Sequence, residues 1–309
     1  MKLRIGTRAS PLARWQAQWV AQQLIASGNE VELVPISTRG DRVQSGSIAA
    51  ISGGDGVFTK ELQRALLADD IDVAVHSLKD LPTAPVEGVS LAAIPMRGAT
   101  GDLLITAEGG TLDELPQGAT VGTGSLRRRT HLWHARPDLK MADIRGNVDT
   151  RLRKLADGAF DAICLAQAGI ERLELHVAAH LLPRSIMLPA VGQGALGLEA
   201  RSEDRATIAA LVALDDPATH ASVIAERAML QSIGGGCLAP IGAWGRVESD
   251  GTLHLDAVVL SIDGATKLSA STAGPPNDFV TIGLRVAEAL LSQGAIALIA
   301  ECRDKFHSG

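Results

Sequence analysis

Two glycine-rich passages, residues 98–110 and 192–197 (the latter within Val191-Gly-Gln193-Gly-Ala-Leu-Gly), interrupt a regular alternation of strand-like and helix-like segments. Alternation of this kind builds βαβ units on mostly parallel sheets, because parallel strands need a crossover long enough to hold a helix. A second such domain inserted into the first must be entered once and left once. Two flexible crossings therefore predict two doubly wound α/β domains joined by a double hinge, with a ligand cleft expected between them.

The segments read as follows. Residues 3–7 form a strand, and Arg8-Ala-Ser10-Pro11 starts a helix, with Ser10 suited to the N-cap and Pro11 to the first helical position. Leu12, Trp15, Trp19 and Leu24 follow at helical spacing as its expected core face. Val31 to Ile36 reads as a strand, Gly40 to Gly56 as an aperiodic mobile loop, and Thr59 to Ala68 as a helix. Ile71 to His76 is a strand leading into Ser77-Leu-Lys79-Asp80-Leu-Pro82, the kind of strand end where α/β proteins display chemistry. Thr120-Val121, Met141 to Ile144 and Ala159 to Leu165 continue the strand pattern. A helix over 218–231, alternating segments 241–248, 252–260 and 266–273, and a helix over 278–293 predict a small antiparallel α+β domain. The expected division is residues 1–97 with 197–215, then 98–196, then 216–309.

Composition narrows the function classes. The net charge is −6, aromatic residues make up 3% and tyrosine is absent, which argues against a nucleic-acid binder. No apolar run is long enough to span a membrane, and no charged-then-apolar leader opens the chain, so a cytoplasmic protein is expected. Cys164, Cys237 and Cys302 are far apart, without a C-x-x-C pair, which excludes a disulfide framework or a cysteine-rich zinc site. Cys164 and Cys302 sit in apolar stretches as expected core residues. His176 and His180, four apart on a candidate helix, lack a third ligand, so no metal is expected.

Positive charge is nonetheless concentrated: Arg127, Arg128, Arg129, Arg145, Arg151, Arg153 and Arg172 fall close together in an acidic chain. Gly122-Thr123-Gly124-Ser125 follows a strand and opens a helix, a natural anion cradle, and Ile144-Arg145-Gly146-Asn147 repeats the turn. Successive helical residues diverge by about 100°, so three consecutive arginines cannot all face one ligand. Arginine forks bind carboxylates bidentately, which points to a small polycarboxylate. Taken singly, these residues leave alternatives open. The plain reading of a single arginine is a solvated charge, that of Cys237 alone a small buried apolar residue, and Asp80 is equally a partner for Lys79 or a turn cap. In Ser232-Ile-Gly-Gly-Gly-Cys237-Leu-Ala-Pro240, however, glycines and a proline also suit a displayed attachment thiol.

The motifs Arg8-Ala-Ser10-Pro-Leu-Ala, Val75-His-Ser-Leu-Lys79-Asp80-Leu-Pro, Gly122-Thr-Gly-Ser-Leu-Arg127-Arg128, Ile144-Arg145-Gly-Asn-Val-Asp-Thr-Arg151-Leu, Leu188-Pro-Ala-Val-Gly-Gln193-Gly-Ala and Gly235-Gly-Cys237-Leu-Ala-Pro-Ile-Gly, in this order, closely resemble the porphobilinogen deaminase (hydroxymethylbilane synthase) family over almost the whole chain. The resemblance implies two domains of periplasmic-binding-protein-like type plus the small C-terminal domain. It also implies a monomeric transferase of haem-type tetrapyrrole biosynthesis, joining four porphobilinogen molecules head to tail with loss of ammonia and releasing hydroxymethylbilane. A dipyrromethane cofactor, made from substrate and held as a thioether on Cys237, would be the primer. Motif by motif, Asp80 matches the catalytic aspartate. Lys79, Thr123, Ser125, Arg127, Arg128, Arg145 and Gly146 match cofactor-binding positions, and Arg8, Ser10, Arg145, Arg151, Arg172 and Gln193 match substrate-binding ones. The glycine-rich loop departs from the family pattern: Ala49, Ala50 and Asp55 stand at or near positions where lysines are common, although Phe58 and Lys60 keep it. The rival readings are a non-catalytic binding protein for a small polycarboxylate anion and an anion-sensing module. The latter leaves Cys237 without a task.

Overall fold

The computed structural model describes residues 1–36, 59–236 and 239–307. The expected loop over Gly40 to Gly56, with Ala50, Asp55 and Phe58, and the expected attachment residue Cys237 lie outside the described residues.

In chain order the first strands are β1 (Lys2–Thr7), β2 (Glu30–Pro35), β3 (Val73–Ser77) and β4 (Val89–Ala93). The chain then crosses into β5 (Asp102–Thr106), β6 (Thr120–Gly122), β7 (Lys140–Ala142), β8 (Ala162–Ala166) and β9 (Ala179–Leu181), and returns as β10 (Leu196–Arg201). A meander of β11 (Ile241–Val247), β12 (Leu253–Leu260) and β13 (Lys267–Gly274) follows. The first sheet has the order β2-β1-β3-β10-β4 and the second β7-β6-β8-β5-β9. Both are built alike. Each contains one antiparallel strand in fourth place, β10 or β5, and in each case it is the strand the chain forms directly after a crossing. The expected α/β class with a C-terminal antiparallel α+β part is what the chain adopts. The chain divides into two compact units, residues 1–98 with 194–220 and residues 99–193 with 221–309.

In the first unit, Leu3 and Ile5 of β1, Val73 and Val75 of β3 and Leu198 of β10 pack against the helix Pro11–Ala26. Ser10 caps that helix, its Oγ accepting from Ala13 N at 3.3 Å, with Pro11 in the first turn as expected. The predicted core face is corrected. Ala17, Val20, Ala21 and Leu24 are buried, whereas Leu12, Trp15 and Trp19 are only half-buried, because two alanines let the helix approach the sheet and displace the indoles to its margin.

In the second unit both faces of the sheet are covered, as apolar runs predict. Leu104, Val121 and Cys164 lie in one cluster, while their neighbours Leu103, Ile105, Ile163 and Leu165 lie in the other. Each fully buried leucine or isoleucine contributes about 1.5–3 kcal/mol. Cys164 and Cys302 are buried, as expected. The histidine pair is corrected: the helix Gln167–Arg172 ends before His176, and His180 lies on β9 opposite Leu104. Glu174, with φ 52°, breaks the helical run before His176. Among the described residues no group of three His, Cys, Asp or Glu side chains could hold a metal ion, and no single helix is long and apolar enough to cross a membrane.

The C-terminal meander packs Leu253, Leu255, Ala257 and Val259 against Val286, Ala287 and Leu290 of the helix Phe279–Ser292 and against Met229 of the helix Pro217–Ser232. The two helices meet at a glycine. A Cβ at Gly283 would lie 2.4 Å from Ala225 O and 2.9 Å from Ala228 Cβ, contacts that only backbone movement relieves. Gly283→Ala is therefore expected to lower unfolding stability by about 1–3 kcal/mol, the range for overpacking a filled core. A denaturation midpoint equal to that of the parent would show that the helices separate freely.

Candidate active site

β3 ends at Ser77 and continues as one turn of 3-10 helix, Leu78–Asp80. Leu78 and Leu81 are buried and fix the turn, with Leu78 N donating to Ala195 O at 3.0 Å and Leu81 N to Leu78 O at 3.2 Å. Lys79 and Asp80, the two polar residues between them, remain half-buried. Among the described residues no hydrogen bond or ion pair engages the Asp80 carboxylate, so the alternative of an Asp80–Lys79 pair is not adopted. Buried polar links anchor the strand behind the turn. Gln16 Nε2 donates to Ser77 Oγ at 2.8 Å, and Gln63 Nε2 donates to both Glu199 oxygens at 3.1 Å. His76 Nε2 lies 2.9 Å from Glu199 Oε2 but is not aligned as a hydrogen bond. Arg8 and Ser10 flank the end of β1, half-buried.

The second group of site residues lies on two strand-to-helix turns. β6 ends at Gly122, and the helix Leu126–Ala135 begins after Ser125, whose Oγ accepts from Arg128 N at 3.5 Å. Thr123 is buried, and its Oγ1 accepts from Ser125 N at 3.2 Å. The first-turn amides of Leu126 and Arg127 have no intrahelical acceptor, as at any helix start. β7 leads to the second turn, where Gly146 has φ 108°, a left-handed conformation that disfavours any residue with a Cβ, and the helix Val148–Ala156 follows. The two turns touch: a Cβ on Gly124 would stand 3.3 Å from Ile144 O. The Arg145 guanidinium is half-buried and, among the described residues, engages no acceptor. Arg151 folds back so that its Nε donates to Gly146 O at 2.8 Å, whereas Arg153 is exposed. Arg172 ends its helix half-buried, and burial pushes its pKa down despite the neighbouring Glu171.

The residue that sequence reasoning missed is Asp102. It opens β5, is 1% exposed, and receives both arginines expected to bind cofactor. Arg127 Nη1 donates to Asp102 Oδ2 at 2.9 Å and Nη2 to Oδ1 at 3.1 Å, while Arg128 Nε donates to Oδ1 at 2.8 Å. Arg127 Nη1 also donates to Leu188 O at 2.6 Å, and Arg128 Nη1 to Cys164 O at 3.0 Å. Their Cα–Cβ bonds diverge by about 100°, yet the long side chains converge on one carboxylate. Arg129 departs, as expected, to Thr123 O and Asp143. Burial would raise the Asp102 pKa, but the two guanidiniums outweigh it and hold the carboxyl well below its ordinary range. Nothing local in the sequence marks Asp102, which stands after a glycine like any turn residue. Gln193, expected at the substrate, donates from Nε2 to Thr100 O at 2.9 Å and to Gly101 O at 3.0 Å, tying its crossing to the other.

In the second unit, cationic side chains and open helix starts gathered on strand ends suit a small polyanionic ligand, and in the first a strand-end turn carries a half-buried carboxylate. Residues 3–209 match the family model described as "Porphobilinogen deaminase, dipyromethane cofactor binding domain", and residues 220–292 match "Porphobilinogen deaminase, C-terminal domain". Relatives described as porphobilinogen deaminase include one from Brevibacillus brevis, 45% identical over 97% of this chain and 97% of its own. Others come from Geobacter sulfurreducens (46% identical, 97% and 94%) and Acidothermus cellulolyticus (48%, 96% and 91%). Among solved structures, the methionine-binding protein MetQ overlaps 69% of this chain and 89% of its own at 13% identity, with a TM-score of 0.45. The chain belongs to the porphobilinogen deaminase family. It is a hydroxymethylbilane synthase of tetrapyrrole biosynthesis, with a dipyrromethane cofactor, and the readings as a mere anion binder or sensor fall away.

The Asp102 cluster also sets acid stability through a neighbour. His131, 1% exposed, faces Arg127 O at 2.8 Å through Nδ1, which must therefore carry the proton. Burial first, then the Arg127 charge, push its pKa from 6.5 down to about 3. Between these values the unfolded chain takes up a proton that the folded chain refuses. Stability should fall as pH drops through that window, by up to about 1.4 kcal/mol per unit. His131→Gln, which can still donate to the carbonyl, should flatten this slope; denaturation midpoints that follow the parent's pH dependence would contradict it.

Proposed function

We propose that Asp80 is the catalytic carboxylate, that Cys237 carries the dipyrromethane group as a thioether, and that the arginine turns hold the carboxylates of cofactor and growing chain. The observation that carries this is the Asp80 carboxylate itself, half-buried on a rigid turn and engaged by no partner among the described residues. A fixed, uncompensated carboxylate stabilises positive charge without reorganising. Loss of ammonia from porphobilinogen develops such a charge on the pyrrole. Asp80 would stabilise that cation electrostatically, and Lys79, on the same turn, would meet the anionic groups.

The residues present fit a group bearing several carboxylates. Arg127 Nε is buried with no hydrogen-bond acceptor, and the Arg145 guanidinium is not engaged by the described residues. Thr123, Ser125, Arg127, Arg128, Arg145 and Gly146 would hold the dipyrromethane group, which when bound supplies the terminal pyrrole carbon that the first incoming unit joins. Arg8, Ser10, Arg145, Arg151 and Arg172 would orient the incoming acetate and propionate, and Gln193 would hold the backbone beside them. Residues 216–309 would act as a domain presenting Cys237. The protein would work as a monomer in the cytoplasm.

An intact mass of the purified protein should exceed the sequence mass by two linked pyrrole units localised to Cys237, since a thioether survives denaturation. An active protein with unmodified Cys237 would refute the attachment. Asp80→Asn keeps the shape and removes the charge, and should slow porphobilinogen consumption roughly a hundredfold or more while binding suffers less. Near-parental turnover would place the catalytic charge elsewhere.

A further inference from the structure

We propose that Asp102 is a positioning residue that sets Arg127 and Arg128 as one singly charged receptor for a single ligand carboxylate, with Arg127 Nε as the donor reserved for it. The inference rests on the reading of the arginine turns given above and adds to it the internal carboxylate that tunes them.

Three observations carry it. The first is charge. Arg127 and Arg128 are 4% and 6% exposed, and Asp102 is the one carboxylate among the described residues that pairs with them, so two positive charges and one negative leave one buried positive charge. A buried uncompensated charge is strongly unfavourable, and one further anion removes it. The second is donor count. Of the Arg127 donors, Nη1 serves Asp102 and Leu188 O and Nη2 serves Asp102, but Nε is buried with no hydrogen-bond acceptor. A water could accept that hydrogen bond but would leave the charge; a carboxylate satisfies both. The third is rigidity. Asp102 is held on both sides within its sheet, paired with Ala166 of β8 while its carbonyl accepts from Leu182 N at 2.9 Å, and Arg128 is pinned to Cys164 O on β8.

Asp102 and a ligand carboxylate therefore compete for the same two cations. With Asp102 in place the receptor holds one carboxylate firmly enough to orient it, yet releases it when the elongating chain has to move on. Without that negative charge the pair becomes a dication and grips whatever chain is bound.

The test compares the parent holoprotein with Asp102→Asn and Arg127→Lys, measuring porphobilinogen consumption, thermal midpoint and the intact-mass ladder of chains left on the enzyme after limited substrate. In Asp102→Asn, KM should fall about fivefold and kcat about tenfold, with the ladder shifted to the longest bound chains, because release is impaired. Arg127→Lys keeps a charge opposite Asp102 but loses the Nε donor. It should act in the opposite sense, raising KM about fivefold and shortening the ladder. A purely structural role lowers the thermal midpoint in both variants while leaving KM and the ladder of the folded fraction at parental values, and that result overturns the proposal, as do shifts of the same sign in both. If Asp102→Asn does not fold, Arg127→Lys alone decides, and a parental KM and ladder there overturn it. Failure of the parent chain itself to consume porphobilinogen would instead remove the reading of the site.

Discussion

The Asp102 carboxylate is the point from which much of the second unit is organised. It joins the first strand after the crossing, β5, to the start of the helix Leu126–Ala135, and through the two arginines it reaches Cys164 on β8 and Leu188 in the connection towards the other crossing. The backbone at the helix start is left to its own caps and dipole, so its first amides stay open while the charges beside them are held still. Ionic contacts this deeply buried do not contribute much net stability over apolar packing of the same volume. What they contribute is a defined arrangement of positive charge in a chain whose overall charge is negative.

A second buried acid plays the corresponding part where the C-terminal meander attaches. Glu226, fully buried on the helix Pro217–Ser232, accepts from Gly192 N at 2.7 Å and from Gly245 N at 2.8 Å. One carboxylate thereby satisfies two backbone donors, one beside a crossing and one on β11. Gly245 has to be glycine there, since a Cβ would stand 2.4 Å from Ser222 O. Gln193, beside Gly192, bonds the carbonyls of Thr100 and Gly101. The crossings are thus held by Glu226, which no local pattern singles out, and by Gln193, which the motifs single out as a position but not as this contact.

In the first unit the logic is reversed. The Asp80 turn carries a charge that nothing among the described residues neutralises, while Ser77 pairs with Gln16 and Glu199 accepts from Gln63.

The sequence by itself determined whatever depends on a few neighbouring residues. Ser10 with Pro11, and Ser125 after a strand, specify helix starts because a cap needs only its own next turn. Apolar alternation specifies strands, and glycine clusters mark where the chain changes sheet. The family motifs add Asp80, Cys237 and the arginines as positions, though not as contacts. Tertiary structure decided the rest. Only folding placed Asp102 against Arg127 and Arg128, began β10 within the last two residues of the glycine-rich crossing, buried Ala17 and Ala21 ahead of Trp15 and Trp19, and put His180 on a strand. The physical reason is that caps and periodicity act along the backbone within a turn or two. Which acid meets which base, and which of two apolar faces lies closer to the sheet, is settled by packing between segments far apart in the chain.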